Sequence, residues 1–178
     1  MSNYIRVFLD GHYYFLTVLI NDRKLSLLTD YIEEFRKALK VAKAQYSFEL
    51  YAISIMPDHF HMIILPETSK EYPIIIACIK RNFTNSLDDG IRQQLAKDLS
   101  PSKIKKGESG VWHRRFYEHT IRSQEELNHI TDYIHYNPVK HGYANAVKDW
   151  KYSSFLKFVA KGHYDKNWCD FTESVDYG

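Results

Sequence analysis

His59 and His61 flank Phe60 and pose the first chemical question. Side chains alternate across a β-strand, so positions i and i+2 leave by the same face and both imidazoles project together. Two imidazoles side by side supply two nitrogen ligands to a divalent metal with no backbone distortion. The pair alone is weak evidence, because two packed or surface histidines give the same spacing. A cupin-like site also begins this way, but the all-β alternation that surrounds such a site is missing here.

The second constellation is Asp132-Tyr133-Ile134-His135-Tyr136-Asn137-Pro138. At about 100° per residue on a helix, Leu127, Ile130 and Ile134 cluster in one direction. Tyr133 lies on one flank of that stripe and Asn137, one turn later, lies on the same flank. Tyr136 points almost the opposite way. A structural reading makes Tyr133 a border residue of the core and Asn137 a helix cap, a role asparagine tolerates well. Read together with the histidines, the pattern suits phosphodiester chemistry. A metal held by two imidazole nitrogens and one amide oxygen keeps open positions for phosphate oxygens and favours attack by a tyrosine hydroxyl. Coordination rich in oxygen fits Mg²⁺ or Mn²⁺ better than structural zinc. A free tyrosine has a pKa of about 10, so the nucleophile needs the metal field or a base. Asp58, His119 and water are the alternatives for that base.

These residues need elements to position them. Residues 11–20 are aromatic and β-branched enough for a strand. Leu28, Ile32, Phe35, Leu39, Ala42 and Tyr46 step by threes and fours, which predicts one amphipathic helix. Residues 48–55 and 59–65 predict two further strands, separated by Met56-Pro57-Asp58. The second of these is apolar on both faces, as in a sheet covered by helices. Residues 73–83 predict a helix and 100–110 a loop, and 111–121 reads as irregular to extended. Ser123 with Glu126 forms a capping box for the tyrosine helix, and Pro138 is expected to end it. A short helix is expected over 153–160. This order predicts an α+β, ferredoxin-like split βαβ antiparallel sheet with helices on one side. The histidine pair falls on a central strand and the tyrosine on a helix of the C-terminal half. Residues 1–162 form the expected domain, and 163–178 a short acidic tail.

With 178 residues, the chain fits one domain. Its 44% hydrophobic and 26% charged content excludes disordered and fibrous classes. No apolar run spans a bilayer and no leader opens the sequence, so no membrane partner and a cytoplasmic location are expected. Cys78 and Cys169 make neither a disulfide framework nor a cysteine zinc site. The net charge of +2 hides an uneven distribution: residues 101–161 hold eleven Lys and Arg against six Asp and Glu. Cations mixed with Trp112, Phe116, Tyr117, Tyr133, Tyr136 and Trp150 suit a nucleic-acid groove, although a solvated face gives the same counts.

Three separated motifs carry a family resemblance. Met56-Pro57-Asp58-His59-Phe60-His61, then residues 112–122 from Trp112 to Arg122, then Tyr133-Ile134-His135-Tyr136-Asn137-Pro138-Val139-Lys140-His141-Gly142 resemble the REP-associated tyrosine transposases of the single-tyrosine HUH superfamily. The resemblance runs from Met1-Ser2-Asn3-Tyr4 to about Trp168, while 87–110 matches no motif. It implies His59, His61 and Asn137 as ligands of Mg²⁺ or Mn²⁺ and Tyr133 as nucleophile. It also implies cleavage and rejoining of single-stranded DNA beside REP-like hairpins through a 5′-phosphotyrosine, and a bacterial, nucleoid-associated setting. Arg114, Arg115, Arg122 and Lys140 are the DNA-binding candidates. A monomer is favoured, with the helix-exchanged dimer of insertion-sequence relatives as the other possibility. Two competing readings remain. One is a non-catalytic, sequence-specific DNA-binding module of the same fold. The other is a small-molecule metalloenzyme with Glu67 as a further ligand.

Overall fold

A computed structural model describes residues 6–97 and 99–171. Four strands, β1 (Tyr14–Leu19), β2 (Phe48–Ile55), β3 (His59–Pro66) and β4 (Tyr117–Thr120), pair antiparallel in the order β2-β3-β1-β4. That is the ferredoxin-like order expected from the sequence, with β3 and β1 in the centre. Around them lie α1 (Leu27–Asp30), α2 (Ile32–Gln45), α3 (Tyr72–Ser86), α4 (Asp89–Ala96), α5 (Pro101–Lys105), α6 (Gln124–Lys140) and α7 (Phe155–Ala160).

The sheet separates two apolar layers. Tyr14, Leu16, Val18, Phe60, Met62 and Ile64 face α2 and α3 through Phe35, Ala38, Ile75, Ile79 and Phe83. Phe15, Ala52 and Ile63 face the other way, against Leu127, Ile130, Tyr133 and Ile134 of α6 and Phe158 of α7. Helices therefore cover both faces, which corrects the one-sided layer expected from the sequence. The physical reason was visible in β3: a strand buried on both faces needs a cover on each.

Three element boundaries also differ from expectation. The predicted single helix over 28–46 kinks at Tyr31 (φ −112°, ψ 41°), yet the backbone bonds Tyr31 N–H to Leu27 O and Phe35 N–H to Tyr31 O continue through it. The expected loop over 100–110 contains α5, started by Ser100 as N-cap and Pro101 in the first turn. Pro138 does not end the tyrosine helix but lies inside it. Proline removes one helical donor at that point, and the buried Asn137 and Pro138 are held in place by later bonds. Asn137 O accepts from His141 N–H, and Pro138 O from Tyr143 N–H.

Of the acidic segment, Tyr164 and Phe171 pack against the α6 layer. Met1-Ser2-Asn3-Tyr4, Glu173 and Asp176 lie outside the described residues. Among the described residues, no helix is long and apolar enough to cross a membrane.

Candidate active site

The register of the central strands builds the site. Thr17 on β1 stands opposite His61, and Leu19 opposite His59. Thr17 Oγ1 lies 2.8 Å from His61 Nδ1 and turns that ring. Asp58 Oδ1 lies 2.7 Å from His59 Nδ1, and its other oxygen binds Arg23 Nε. An ionised carboxylate only accepts, so Nδ1 carries a His59 proton and Nε2 is the nitrogen left to face the site. Burial alone would raise the Asp58 carboxyl, but hydrogen bonds from His59 and Arg23 outweigh it and hold the group at about 2. Burial, then the neighbouring His59 and His141, keep His61 well below the ordinary histidine range. It is therefore neutral, the form that ligates metal.

α6 brings the remaining groups. Its N-cap Ser123 accepts from Glu126 N–H at 3.1 Å, and its apolar stripe sits on Phe15, Ala52 and Ile63. That seat turns the Tyr133–Asn137 flank toward the histidines. The Tyr133 ring is 1% exposed and lies 5.4 Å from the His61 ring, centroid to centroid. The His59 and His61 rings are 5.0 Å apart. Lys140 Nζ stands 5.4 Å from the centre of the Tyr133 ring. Asn137 is fully buried beside His61, close enough to favour its protonated form but without a well-formed hydrogen bond.

Two orphaned groups decide whether a metal fits here. His61 Nε2 and both Asn137 side-chain polar atoms are buried with no hydrogen-bond partner. Such atoms cost free energy unless something else satisfies them. Two imidazole nitrogens and an amide oxygen on adjacent elements fit a divalent cation with open positions. Among the described residues, no group of three or more His, Cys, Asp and Glu side chains gathers as an alternative metal site.

The structure thus brings together His59, His61, Tyr133, Asn137 and Lys140. Arg122 stands at the opposite end of α6, just before its cap, and Arg114 and Arg115 are exposed in the connection before β4. None of these three contacts the histidine pair. Glu67 is exposed beyond the far end of β3 from His59, and its backbone N–H bonds Ser47 O. His119 pairs with Glu126 at 2.6 Å, and His135 is a core residue bonded to Ser154 Oγ at 2.8 Å. Trp112 is buried, its indole N–H donating to Lys80 O and Thr84 Oγ1, so it packs rather than offering a stacking surface. Sequence reasoning missed Thr17 and Arg23, which only strand register and tertiary contact reveal.

Comparison with known proteins decides the family. The IS200-like transposase family model matches residues 9–137. An Escherichia coli K12 protein named REP-associated tyrosine transposase is 34% identical over 94% of this chain and 91% of its own. A Haemophilus influenzae protein provisionally given the same name is 48% identical over 94% of this chain and 93% of its own. The chain belongs to the REP-associated tyrosine transposases. A solved structure of such a transposase bound to a REP hairpin superposes with a TM-score of 0.82 at 32% identity, covering 100% of this chain and 97% of the other. The described residues of this transposase therefore share the fold of that structure. His59, His61, Tyr133 and Asn137 all fall within the residues matched by the family model.

Proposed function

We propose that this transposase cuts and rejoins single-stranded DNA beside REP-like hairpins, using Tyr133 as nucleophile and a divalent metal held by His59, His61 and Asn137. The observation that carries the proposal is the meeting of Tyr133, the histidine pair and the orphaned Asn137 amide within one chain. Mg²⁺ or Mn²⁺ bound there would polarise the scissile phosphate. The Tyr133 oxygen attacks phosphorus, and the bond to the 3′ oxygen breaks. The DNA 5′ phosphate is then esterified to Tyr133, and the released 3′ oxygen takes up a proton. Attack by a 3′-hydroxyl reverses the step, and the phosphotyrosine conserves the bond energy so that joining needs no nucleotide cofactor. Lys140, over the Tyr133 ring, places a cation beside the site where charge develops on the attacked phosphate. Arg114, Arg115 and Arg122 take backbone phosphates of the DNA. Because one chain supplies every group, a monomer suffices.

The test incubates the protein with labelled single-stranded hairpin DNA and Mg²⁺ or Mn²⁺ and looks for a covalent adduct on a denaturing gel. An adduct is expected with the native protein and with Tyr136→Phe, and none with Tyr133→Phe. His59→Ala and His61→Ala should abolish cleavage while retaining most hairpin binding. Binding without any adduct from the native protein would leave a non-catalytic DNA-binding module instead.

A further inference from the structure

We propose that Tyr117, with the cavity beside it at the outer edge of β4, holds an unpaired nucleobase next to the scissile phosphate. This inference rests on the site reading above, and it adds a positioning residue for the DNA strand.

His61, Thr17 and Tyr117 form one row across β3, β1 and β4, because Thr17 is the register partner of both others. Two strand spacings separate Tyr117 from His61, about 10 Å along the sheet, a span that one or two nucleotides of extended strand cover. The side chain leaves on the active-site face. Its ring stands edge-on to Phe15 at 6.1 Å, and Phe15 in turn stacks on His61 at 5.6 Å and meets Tyr133 edge-on at 6.0 Å. Of these rings, Phe15, His61 and Tyr133 are buried, whereas Tyr117 is 42% exposed. The outermost ring of this cluster therefore presents an amphipathic aromatic surface to solvent, apolar in its body and polar at its hydroxyl, which a ligand can meet.

The ligand that fits is a base. A cavity of about 210 Å³ adjoins the ring, lined by Val7, Tyr117, Glu118, His119, Thr120 and Arg122. One wall is apolar and aromatic, and Arg122 supplies a cation for the phosphate that accompanies the base. That combination of π-face and cation is how single strands are tracked without base pairing. Glu118 does not compete for the ligand, because its carboxylate accepts from Tyr72 Oη and pairs with Arg6 on the other face of the sheet. Facing Tyr117 from α6, Glu126 is engaged by His119 and by the Arg122 N–H.

The test uses the full chain carrying Tyr133→Phe, so that binding is read without cleavage. The probe is a single-stranded hairpin oligonucleotide with unpaired flanks and 2-aminopurine at each flanking position in turn. Quenching is expected at one flanking position. Tyr117→Ala and Tyr117→Leu should remove that quenching and weaken binding about 5- to 100-fold, while Tyr117→Phe keeps both. Leucine fills the space against Phe15 without offering a π-face, so it separates stacking from a packing defect. In the Tyr133-containing protein, the same substitutions should raise KM more than they lower kcat. Unchanged quenching and affinity in both Tyr117→Ala and Tyr117→Leu would overturn the assignment. If Tyr117-dependent quenching persists while the native protein forms no covalent adduct, the chemistry proposed for Tyr133 fails and this site stands.

Discussion

His61 is oriented by a hydroxyl from the neighbouring strand, whereas His59 is oriented by the carboxylate that precedes it in sequence. Partners behind a ligand fix ring orientation and tautomer, and losing one typically lowers metal affinity about 10- to 100-fold. Thr17→Val removes the hydroxyl at nearly constant volume and is expected to weaken Mn²⁺ binding by that factor, measured by titration of the DNA-free protein, with the fold intact. Unchanged affinity would mean that packing against Phe15 alone holds the His61 ring. The pair itself was readable from strand alternation, whereas Asp58 stood out only as a possible base and its hold on His59 comes from the structure. Thr17 was not readable, since its role depends on the register between strands 44 residues apart. A second residue-scale prediction concerns His135, which burial brings from 6.5 down to about 3. The unfolded chain binds that proton at higher pH than the folded one does. The stability contributed is complete above pH 6.5 and is lost as pH falls from there toward 3, on the order of 1 kcal/mol per pH unit. His135→Gln should start less stable at pH 7 and show a shallower loss toward pH 5 in urea denaturation. An equal slope would place the acid sensitivity elsewhere.

α6 is the element on which the site depends, because its cap and stripe aim Tyr133 and Asn137 together. Ser123→Ala leaves Glu126 N–H without its cap and is expected to cost about 1 kcal/mol, seen as a lower urea midpoint with the fold unchanged. Its start, stripe and polar flank were all legible, because capping and the helical period are local properties. Its end was not: the Pro138 penalty is local, but the burial and downstream carbonyl bonds that outweigh it are tertiary. The kink at Tyr31 escaped for a similar reason, since the apolar spacing passes through it unbroken. Gly110 makes a second element-scale case, as it joins the helical insertion to the strand region. Its φ is +80°, and an added Cβ would stand 2.1 Å from Leu95 O. Gly110→Ala therefore meets both a disfavoured backbone and an immovable carbonyl. It should lower thermal stability clearly more than Ser123→Ala does, and an equal effect would show that α4 shifts freely.

Across the whole molecule, the net charge of +2 understates the field that DNA meets, because the excess cations concentrate in residues 101–161. Arg114 and Arg115 are exposed in the connection to β4, Arg122 lies at the start of α6 and Lys140 at its end. The α6 axis spans about 25 Å at 1.5 Å per residue, so these cations lie along a track rather than in one patch. Each phosphate neutralised releases condensed counterions, and for single strands log K falls against log salt by about 0.7 per contact. Hairpin binding by the Tyr133→Phe protein should therefore weaken steeply with added salt. Arg115→Ala should flatten that slope by roughly one contact and reduce affinity for matched and unrelated hairpins alike. Tyr117→Ala carries no charge change, so it should lower affinity at every salt concentration and leave the slope as it was. A parallel loss of slope in both variants would show that Tyr117 acts only by arranging nearby cations. A change in hairpin preference with Arg115→Ala would move that residue from backbone positioning to reading bases.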